Sequence, residues 1–283
     1  MSWDVDGKTI MVTGASRGIG LESSVALARL GARVVMVGRD AGRTESARDA
    51  VVERSGSDAV TTLLCDFSSQ AAIRSLAEEF AAGHDRLDVL LNNAGGVNRK
   101  RRLTVDGIEA TFAVNHLGYF LLTNLLLDLI VASAPARIVS VASVGHRRGT
   151  LDFDDLGFER GYSIMKAYSR SKLGNVLMTA ELARRLDGTG VTANSVHPGS
   201  VDTAIWSGAP RWARPVIDLV VRRTFISAEQ GAAHVVRLVT DPELDGVSGR
   251  YFEENAQVSP APAGRDADLA RRLWDVSATM VGI

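Results

Sequence analysis

Short apolar runs rich in β-branched residues alternate along the chain with longer segments in which apolar residues recur at helical spacing. The runs predict strands over residues 8–13, 32–37, 59–64, 87–91, 137–142 and 191–196, and a last strand that ends near Tyr251. Helices are predicted over 19–30, 41–54, 70–82, 106–132, 164–186 and 266–279. Strands that are apolar throughout are typical of a parallel sheet covered on both faces. The pattern predicts a doubly wound α/β fold and, because no linker divides it, a single domain over residues 1–283.

Composition narrows the classes of partner. The chain has 283 residues, of which 46% are hydrophobic and 23% are charged, as in an ordinary globular protein. Its formal net charge of −1 gives no overall attraction to nucleic acid or to an anionic membrane, so we expect neither. The basic run at 98–102 (NRKRR) is therefore interpreted as a solvated loop. The most apolar segment, 117–131, is short and interrupted by polar residues, which argues against a membrane span.

The cysteine, the N-terminal residues and the histidines add three expectations. Cys65 is the single cysteine, which excludes an intramolecular disulfide and favours a reducing compartment. Asp4 and Asp6 occupy the place where a secretory signal needs positive charge, so we expect a cytoplasmic protein. The five histidines are scattered without ligand spacing, and no metal site is predicted.

A glycine-rich stretch, TGASRGIG, follows the first predicted strand and opens the first helix, with glycines at 14, 18 and 20. At such a turn, backbone amides can approach a pyrophosphate at the helix N-terminus. The alternative is an ordinary tight turn. Position in the strand–turn–helix unit favours the phosphate-binding interpretation.

The end of the second strand indicates which nucleotide is preferred. An enzyme that binds the unphosphorylated ribose needs a carboxylate there, but this chain has Arg39, and Arg17 lies in the glycine turn. Both can pair with a 2′-phosphate, so NADP(H) is favoured over NAD(H). Asp40 is interpreted as a helix N-cap. The alternative for the arginines is simple solvation.

The stretch YSIMKAYSRSK contains two Tyr-x-x-x-Lys pairs, Tyr162 with Lys166 and Tyr168 with Lys172. A lysine four residues on lies on the same helix face as the tyrosine and favours its phenolate form. Ser163 is a typical helix N-cap residue, so Tyr162 is predicted to lie outside the helix. Tyr168 and Lys172 are therefore the candidates for acid–base chemistry.

Several motifs together resemble the short-chain dehydrogenase/reductase family over nearly the whole chain. They are TGASRGIG, NNAG at 92–95, Asn115, a serine ending the fifth strand, YSRSK, and HPG at 197–199. More narrowly, VNHLGYF, an extended loop with LDFDDL, and SKLGNVL resemble its retinol dehydrogenase-like branch. The resemblance implies one Rossmann-type domain, a nicotinamide cofactor, and hydride transfer between a carbonyl and an alcohol.

By the same resemblance, Tyr168 would be the general acid/base, and Lys172 would hold the nicotinamide ribose and lower the tyrosine pKa. Ser143 would bind the substrate oxygen, and Asn115 would maintain a helix bend and a water of the proton relay. Ser140 competes with Ser143 for the serine role, but Ser143 lies at the C-terminal end of the strand, where a site is expected.

The resemblance also implies the cofactor contacts. Asp66 would accept from the adenine amine, with a helix cap as its alternative role, and NNAG would contact the cofactor through its backbone or form a tight turn. The segment 198–203 (PGSVDT) would hold the carboxamide. The full set of expected cofactor-binding residues is Gly14, Ser16, Arg17, Gly18, Ile19, Gly20, Arg39, Asp66, Asn93, Ala94, Gly95, Tyr168, Lys172, Pro198, Gly199, Val201 and Thr203.

Residues 204–227 contain several large apolar side chains, among them Trp206 and Trp212, at the place of the family's substrate lid. An apolar lid predicts a lipophilic aldehyde or ketone, or the corresponding alcohol, as substrate. Core packing or a subunit contact is the alternative for this segment. A non-catalytic NAD(P)-sensing protein on the same fold is the alternative function. Helices 106–132 and 164–186 resemble those through which relatives form a homodimer or homotetramer.

Overall fold

The computed structural model describes residues 3–200 and 226–283, and within them the strands form one eight-stranded sheet in the order β3-β2-β1-β4-β5-β6-β7-β8. Strands β1 to β7 pair in parallel, and β8 runs antiparallel to β7. The strands are β1 (Thr9–Thr13), β2 (Arg33–Gly38), β3 (Val60–Leu64), β4 (Val89–Asn92), β5 (Ala136–Val141), β6 (Val191–His197), β7 (Tyr251–Glu253) and β8 (Ala256–Val258). The predicted α/β fold with a parallel sheet is confirmed.

Helices cover both faces of this sheet. They are α1 (Gly18–Arg29), α2 (Ala41–Ser55), α3 (Gln70–Gly83), α4 (Ala110–Phe112), α5 (Gly118–Leu125), α6 (Leu127–Ala132), α7 (Ile164–Arg185), α8 (Ala228–Thr240) and α9 (Ala267–Val281). A π-helical turn, Ala113–Leu117, joins α4 to α5. Short 3-10 turns lie at Val144–Arg148, Pro242–Leu244 and Pro262–Arg265.

The prediction of one continuous helix over 106–132 is wrong. The helical region begins at Ala110, changes to the π-helical turn, and is interrupted again at Leu126. Gly107 has a φ of +76°, a conformation that glycine adopts readily and that belongs to a turn. The buried Glu109 carboxylate then accepts hydrogen bonds from the amides of Thr111 and Phe112 at 2.8 Å, which starts the helix four residues later than periodicity indicates.

The two faces of the central strands explain why these strands are apolar throughout. In β1, Met11 points into the core formed with α3, α5, α7 and α9, whereas Ile10 and Val12 point into the core formed with α1, α2 and α8. In β2, Val35 lies in the first core and Val34 in the second. Each strand therefore buries both sets of alternating side chains, as expected for a sheet between two helical layers.

The direction of the chain across the sheet reverses between β1 and β4. Strands β2 and β3 lie on one side of β1, whereas β4 and the later strands lie on the other. In open α/β sheets a ligand binds beyond the C-terminal strand ends at such a reversal. Across residues 3–200 and 226–283, no helix is both long enough and apolar enough to span a membrane.

Candidate active site

The glycine turn lies between the end of β1 and the start of α1. Gly14 has a φ of +66°, and a Cβ there would lie 2.7 Å from the Cα of Ala94. A Cβ on Gly20 would lie 2.4 Å from the carbonyl oxygen of Gly14. Gly18 has a φ of +58° and faces open space, with no protein atom within 4 Å of where its Cβ would be. The first and third glycines are thus required by packing, and the second keeps the outer side of the turn clear.

The start of α1 also fits an anionic ligand. Helices α2, α3, α7, α8 and α9 each have a side chain that caps an N-terminal amide, from Asp40, Ser69, Ser163, Ser227 and Asp266 respectively. The N-cap residue of α1 is Arg17, which makes no such bond. Uncapped amides and the positive end of the helix dipole suit a phosphate group. The flanking predicted residues, Ser16 and Ile19, lie in this turn and in the first turn of α1.

Thr13, the last residue of β1, joins the glycine turn to the segment after β4. Its hydroxyl oxygen accepts the backbone amides of Asn93 at 2.8 Å and Ala94 at 3.0 Å. The Asn93 side chain donates to the carbonyl of Thr13 at 2.8 Å. Gly95 follows, exposed beside the same crevice. The predicted residues 93–95 are therefore held against the glycine turn, at the reversal point of the sheet.

At the end of β2, Asp40 and Arg39 have different surroundings. The Asp40 carboxylate accepts from the amide of Arg43 at 3.0 Å and forms an ion pair with its guanidinium at 3.3 Å. These interactions with Arg43 hold the pKa of Asp40 below its ordinary value. The predicted N-cap role of Asp40 is confirmed. Arg39 is exposed, and no side chain within the described ranges forms an ion pair with it or with Arg17.

Asp66 follows β3 and is partly buried. Its carboxylate accepts from the amide of Ser68 at 3.0 Å and from the Ser68 hydroxyl at 2.8 Å. The cap of α3 is Ser69, so the alternative role of Asp66 as the cap of this helix is wrong, and its expected contact with the adenine amine stays a prediction. The bonds to Ser68 fix one carboxylate oxygen and form a local turn.

Ser143 and Tyr168 meet at the C-terminal edge of the sheet. A Cβ on Gly145 would lie 3.3 Å from the Tyr168 ring and 3.4 Å from the Ser143 hydroxyl oxygen, so both side chains contact this glycine. Burial raises the pKa of Tyr168, and the neighbouring Ser143 hydroxyl opposes the rise. Ser140 lies inside β5, where it pairs with Asn92 of β4 and Ser195 of β6. The structure brings Ser143, not Ser140, to the tyrosine.

Lys172 lies one helical turn after Tyr168 and is almost fully buried, with 4% of its surface exposed. Its Nζ donates to the carbonyl of Val141 at 2.8 Å. The same nitrogen lies 5.8 Å from the ring centre of Tyr168 and 5.7 Å from that of Tyr119. Burial lowers the pKa of Lys172 to about 7. Burial outweighs the influence of the neighbouring Lys172 on Tyr168, whose pKa lies above its ordinary value and not below it as expected.

Asn115 lies in the π-helical turn and uses its whole carboxamide. The side-chain oxygen accepts from the amide of Gly96 at 2.9 Å, and the side-chain nitrogen donates to the carbonyl of Gly96 at 2.9 Å. The nitrogen also lies 3.1 Å from the hydroxyl of Ser171, which in turn donates to the carbonyl of Tyr168. The expected helix irregularity at Asn115 is confirmed, and it links the segment after β4 to α7.

The other tyrosine, Tyr162, lies outside α7, as predicted. Ser163 caps the helix by accepting from the amide of Lys166 at 3.2 Å. The Tyr162 hydroxyl donates to the carbonyl of Asn98 at 2.6 Å, and Lys166 is exposed. This Tyr-x-x-x-Lys pair does not meet on one helix face and has a structural role.

The extended loop before α7 is held against the helix by a buried arginine. Arg170 donates to the carbonyls of Thr150 and Leu156 at 2.9 Å. Its guanidinium also lies 3.6 Å from the ring centre of Phe158. Arg101, from the basic run, donates to the carbonyl of Gly157 at 2.8 Å. The loop is therefore anchored to α7 at Arg170, two residues after Tyr168.

The HPG motif ends β6 at the same edge of the sheet. Pro198 and Gly199 are buried, and a Cβ on Gly199, whose φ is +94°, would lie 2.4 Å from a side-chain atom of Ile226. The predicted cofactor residues Val201 and Thr203, and nearly all of the predicted lid 204–227, lie outside the described residues. No group of three or more potential metal ligands occurs in the part of the chain that the structure describes.

Sequence reasoning missed four residues that organise this site: Thr13, Tyr119, Ser171 and Asn175. Asn175 donates to the carbonyl of Val141 at 3.2 Å, beside Lys172. The hydroxyl of Tyr119 is fully buried and has no hydrogen-bond partner among the described residues. A polar residue at the end of an otherwise apolar strand was the available signal for Thr13. The other three are visible only once helix and sheet are packed together.

Comparisons with known proteins agree with this geometry. The sequence profile of the short chain dehydrogenase family matches residues 8–214. Mouse retinol dehydrogenase 14 is 43% identical over 289 aligned positions, covering 98% of this chain and 86% of the relative. Human retinol dehydrogenase 13 is 40% identical and covers 99% of this chain and 86% of its own length. A crystal structure of an uncharacterised protein from Mycobacterium paratuberculosis superposes with a TM-score of 0.80 at 30% identity, covering 100% of this chain and 98% of that one. The chain belongs to the short-chain dehydrogenase/reductase family of oxidoreductases, in its retinol dehydrogenase-like branch.

Proposed function

We propose that this protein is an NADP(H)-dependent oxidoreductase that interconverts a lipophilic aldehyde or ketone and the corresponding alcohol. The observation that carries the proposal is the meeting of Ser143 and Tyr168 beside the buried Lys172, at the C-terminal edge of the sheet. Family membership supplies the reaction class, and the site residues supply the chemistry. The proposed catalytic group consists of Tyr168, Lys172, Ser143 and Asn115.

The residues beyond β1 fit a dinucleotide. The glycine turn leaves its outer side open at Gly18, and the amides that start α1 have no side-chain cap. When bound, the nicotinamide would give hydride to the carbonyl carbon or accept it from the alcohol carbon. Arg39 and Arg17 support NADP(H), because both are exposed and neither forms an ion pair within the described ranges, whereas one carboxylate oxygen of Asp40 is already engaged by Arg43.

Proton transfer falls to Tyr168. In the direction of reduction its hydroxyl donates a proton to the carbonyl oxygen as negative charge develops there, and the Ser143 hydroxyl donates a hydrogen bond to the same oxygen. The Lys172 ammonium stabilises the phenolate that remains. Asn115, bound to Gly96 and Ser171, holds α7 against the segment after β4. All these groups belong to helices and strand ends that packing holds in place.

A lipophilic substrate is supported by two independent observations. The relatives bear the name retinol dehydrogenase, and retinol is a long apolar alcohol. Residues 204–227, which come after β6 in the sequence, are rich in apolar side chains. An apolar covering segment buries an apolar ligand favourably.

The test compares the two tyrosines of the two Tyr-x-x-x-Lys pairs. Tyr168→Phe should reduce carbonyl turnover with NADPH by at least about 100-fold, the usual contribution of a general acid, while cofactor binding persists. Tyr162→Phe is the matched control and should retain turnover, because its hydroxyl only binds the carbonyl of Asn98. Both variants are assayed with straight-chain aldehydes of rising length, and kcat/KM should rise with length.

Three results would contradict the proposal. Equal turnover of wild type and Tyr168→Phe removes the tyrosine from the chemistry. Cofactor binding without turnover across the whole carbonyl panel favours an NAD(P)-sensing protein on the same fold. A flat dependence of kcat/KM on chain length rejects the lipophilic substrate while leaving the oxidoreductase activity intact.

A further inference from the structure

His146 lies in the 3-10 turn that follows Ser143, and both of its ring nitrogens are engaged. The ring is fully buried, with Nδ1 2.7 Å from the carbonyl oxygen of Ser143 and Nε2 3.1 Å from the backbone nitrogen of Ala261. The Ala261 amide can only donate, so Nε2 must accept. Nδ1 therefore carries the hydrogen and donates it to Ser143. This pair of contacts defines one neutral tautomer.

The ring joins two parts of the chain that are distant in sequence. Ala261 belongs to the segment between β8 and α9, more than a hundred residues after His146. The ring of Tyr251 from β7 packs edge-on against the imidazole with centroids 4.6 Å apart. A Cβ on Gly264 would lie 3.7 Å from the imidazole Cδ2, so this side is closed as well. The histidine is thus enclosed by the serine turn, the sheet and the C-terminal segment.

These contacts fix the backbone of Ser143. Its carbonyl oxygen accepts both the His146 amide at 3.0 Å and the His146 ring at 2.7 Å. Its hydroxyl oxygen accepts the amide of Gly145 at 3.1 Å, which leaves the hydroxyl hydrogen available for the phenol or a substrate. Main chain and side chain of the serine are therefore both oriented by the turn that His146 anchors.

We propose that His146 is a positioning residue for the reaction, which holds Ser143 in register with Tyr168 by donating its Nδ1 hydrogen to the serine carbonyl, while the contact with Ala261 of the C-terminal segment helps to keep the ring in place. The inference rests on the proposed function, in which Ser143 and Tyr168 act on the substrate oxygen. It extends the site to a residue that does not touch the reacting atoms. It also makes the segment 259–264 part of the support of the active site.

The charged and titratable groups around the ring are Arg147 beside it in the turn, Glu253 and Tyr251 on β7, and His197 at the end of β6. Burial lowers the pKa of His146, and the positive charge of Arg147 acts in the same direction. The imidazole is therefore neutral around pH 7. Protonation would place an N–H group against the Ala261 amide and break the link.

Three substitutions at His146 distinguish a role in positioning Ser143 from a role in packing alone. His146→Asn keeps a short amide donor near the place of Nδ1, His146→Gln carries its amide further towards Ala261, and His146→Phe keeps the ring without either nitrogen. We expect the Asn variant to retain kcat/KM within about threefold of wild type. The Gln and Phe variants should lose about 10-fold or more in kcat/KM for carbonyl reduction, with NADPH affinity unchanged.

A pH profile supplies a readout that stability alone does not move. The Ser143 hydroxyl lowers the pKa of Tyr168, and Lys172, Tyr119 and Tyr251 are the other titratable groups near this phenol. When the serine is displaced, the tyrosine pKa rises further. The rise of alcohol oxidation with pH, which follows formation of the phenolate, should therefore move to higher pH in the Gln and Phe variants and stay in place in the Asn variant.

The inference is overturned if folded, NADPH-binding His146→Phe keeps the kcat/KM and the pH profile of wild type. It is also overturned if all three variants lose activity in proportion to their loss of melting temperature. A wild-type tautomer with hydrogen on Nε2, read from imidazole nitrogen chemical shifts, would contradict its premise without any substitution. An inactive wild type, or an active Tyr168→Phe, would instead reject the proposed function.

Discussion

Of the charged groups at the site, the buried Lys172 is the one whose charge changes with pH near neutrality. Lys172 is surrounded by the rings of Tyr119 and Tyr168 and by the carbonyl of Val141, which stabilise an ammonium group but do not neutralise it. Burial lowers its pKa to about 7, so the charged form dominates only below that pH. Tyr168, whose pKa is raised, remains protonated throughout this range. A rate change near neutrality therefore belongs to the lysine.

We expect kcat for carbonyl reduction to fall as pH rises through about 7, because Lys172 then loses the proton that helps Tyr168 release its own. Initial rates at saturating NADPH and substrate between pH 5.5 and 9 measure this limb. Lys172→Arg, which keeps its charge over the whole range, should remove the limb, and Lys172→Met should give a low, flat profile. Persistence of the limb in Lys172→Met would assign it to another group.

The arginine at the end of β2 gives a test of cofactor choice. Arg39→Ser should weaken NADPH binding by about 10- to 100-fold, the range for one charge-assisted hydrogen bond, and leave NADH binding nearly unchanged. Arg48→Ser is the matched control, because Arg48 lies further along α2 and pairs with Glu45 and Asp49, so its loss leaves Arg39 and Asp40 as they are. Fluorescence titration with both cofactors measures the ratio. Equal effects on NADPH and NADH would remove Arg39 from 2′-phosphate recognition.

At the residue scale, local pattern was sufficient for side chains whose role follows from one element. Helical phase and the start at Ser163 separated Tyr168 from Tyr162, and the cap at Asp40 left Arg39 as the exposed charge. The pattern could not find His146, whose two partners lie on different parts of the chain. It also misjudged the tyrosine pKa, because burial depends on packing that spacing does not reveal.

At the scale of elements, the predicted strands and most helices agree with the structure. Their apolar periodicity reflects burial between the sheet and the two helical layers that cover it. The helical region after residue 106 differs because long-range contacts override periodicity: Asn115 binds Gly96, and the helix responds with a π-helical turn. Strand β8 was missed because it is a short, mostly exposed edge strand. Helix α8 was also missed, although its capping box, Ser227 with Gln230, is a readable signal.

The end of α8 is fastened to the sheet by a buried arginine from β5. Arg137 is 4% exposed, donates to the carbonyls of Leu238, Val239 and Asp241, and pairs with Asp245 at 2.6 Å. Arg137→Leu would leave these acceptors buried without their donor. We expect the free energy of unfolding to fall by about 2–4 kcal/mol.

Urea unfolding followed by circular dichroism measures this change. The control is Arg184→Leu on α7, where a mostly exposed arginine pairs with Glu181 and the expected loss is below about 1 kcal/mol. Cofactor affinity should be unchanged in both variants, since neither side chain approaches the glycine turn. A loss for Arg137→Leu no larger than that of the control would mean that the carbonyls at the end of α8 find other partners.

At the scale of the whole molecule, three buried histidines lie next to the C-terminal part of the chain, in the π-helical turn, in the 3-10 turn after β5 and at the end of β6. His116 lies 3.0 Å from the hydroxyl of Ser277 on α9, His146 binds Ala261, and His197 ends β6 beside β7. Burial is the largest influence on each and lowers the pKa of all three, to about 4 for His116. The folded protein therefore holds these rings neutral at pH values where the unfolded chain would protonate them.

This difference makes stability fall in mild acid. Between the unfolded value of 6.5 and the folded value of about 4 for His116, the unfolded chain binds a proton that the folded state excludes, so the free energy of unfolding decreases as pH falls. A shift of this size is worth about 3 kcal/mol for His116, and His146 and His197 add to the loss in the same direction.

Urea midpoints at pH 7.5, 6.0 and 4.5 measure this loss of stability in acid. His116→Gln should reduce stability at pH 7.5 but flatten the pH dependence, whereas His234→Gln, at a partly exposed ring that binds Asn255, should leave the dependence unchanged. An unaltered slope in His116→Gln would mean that carboxylates, and not the histidines that lie next to the C-terminal part of the chain, control unfolding in acid.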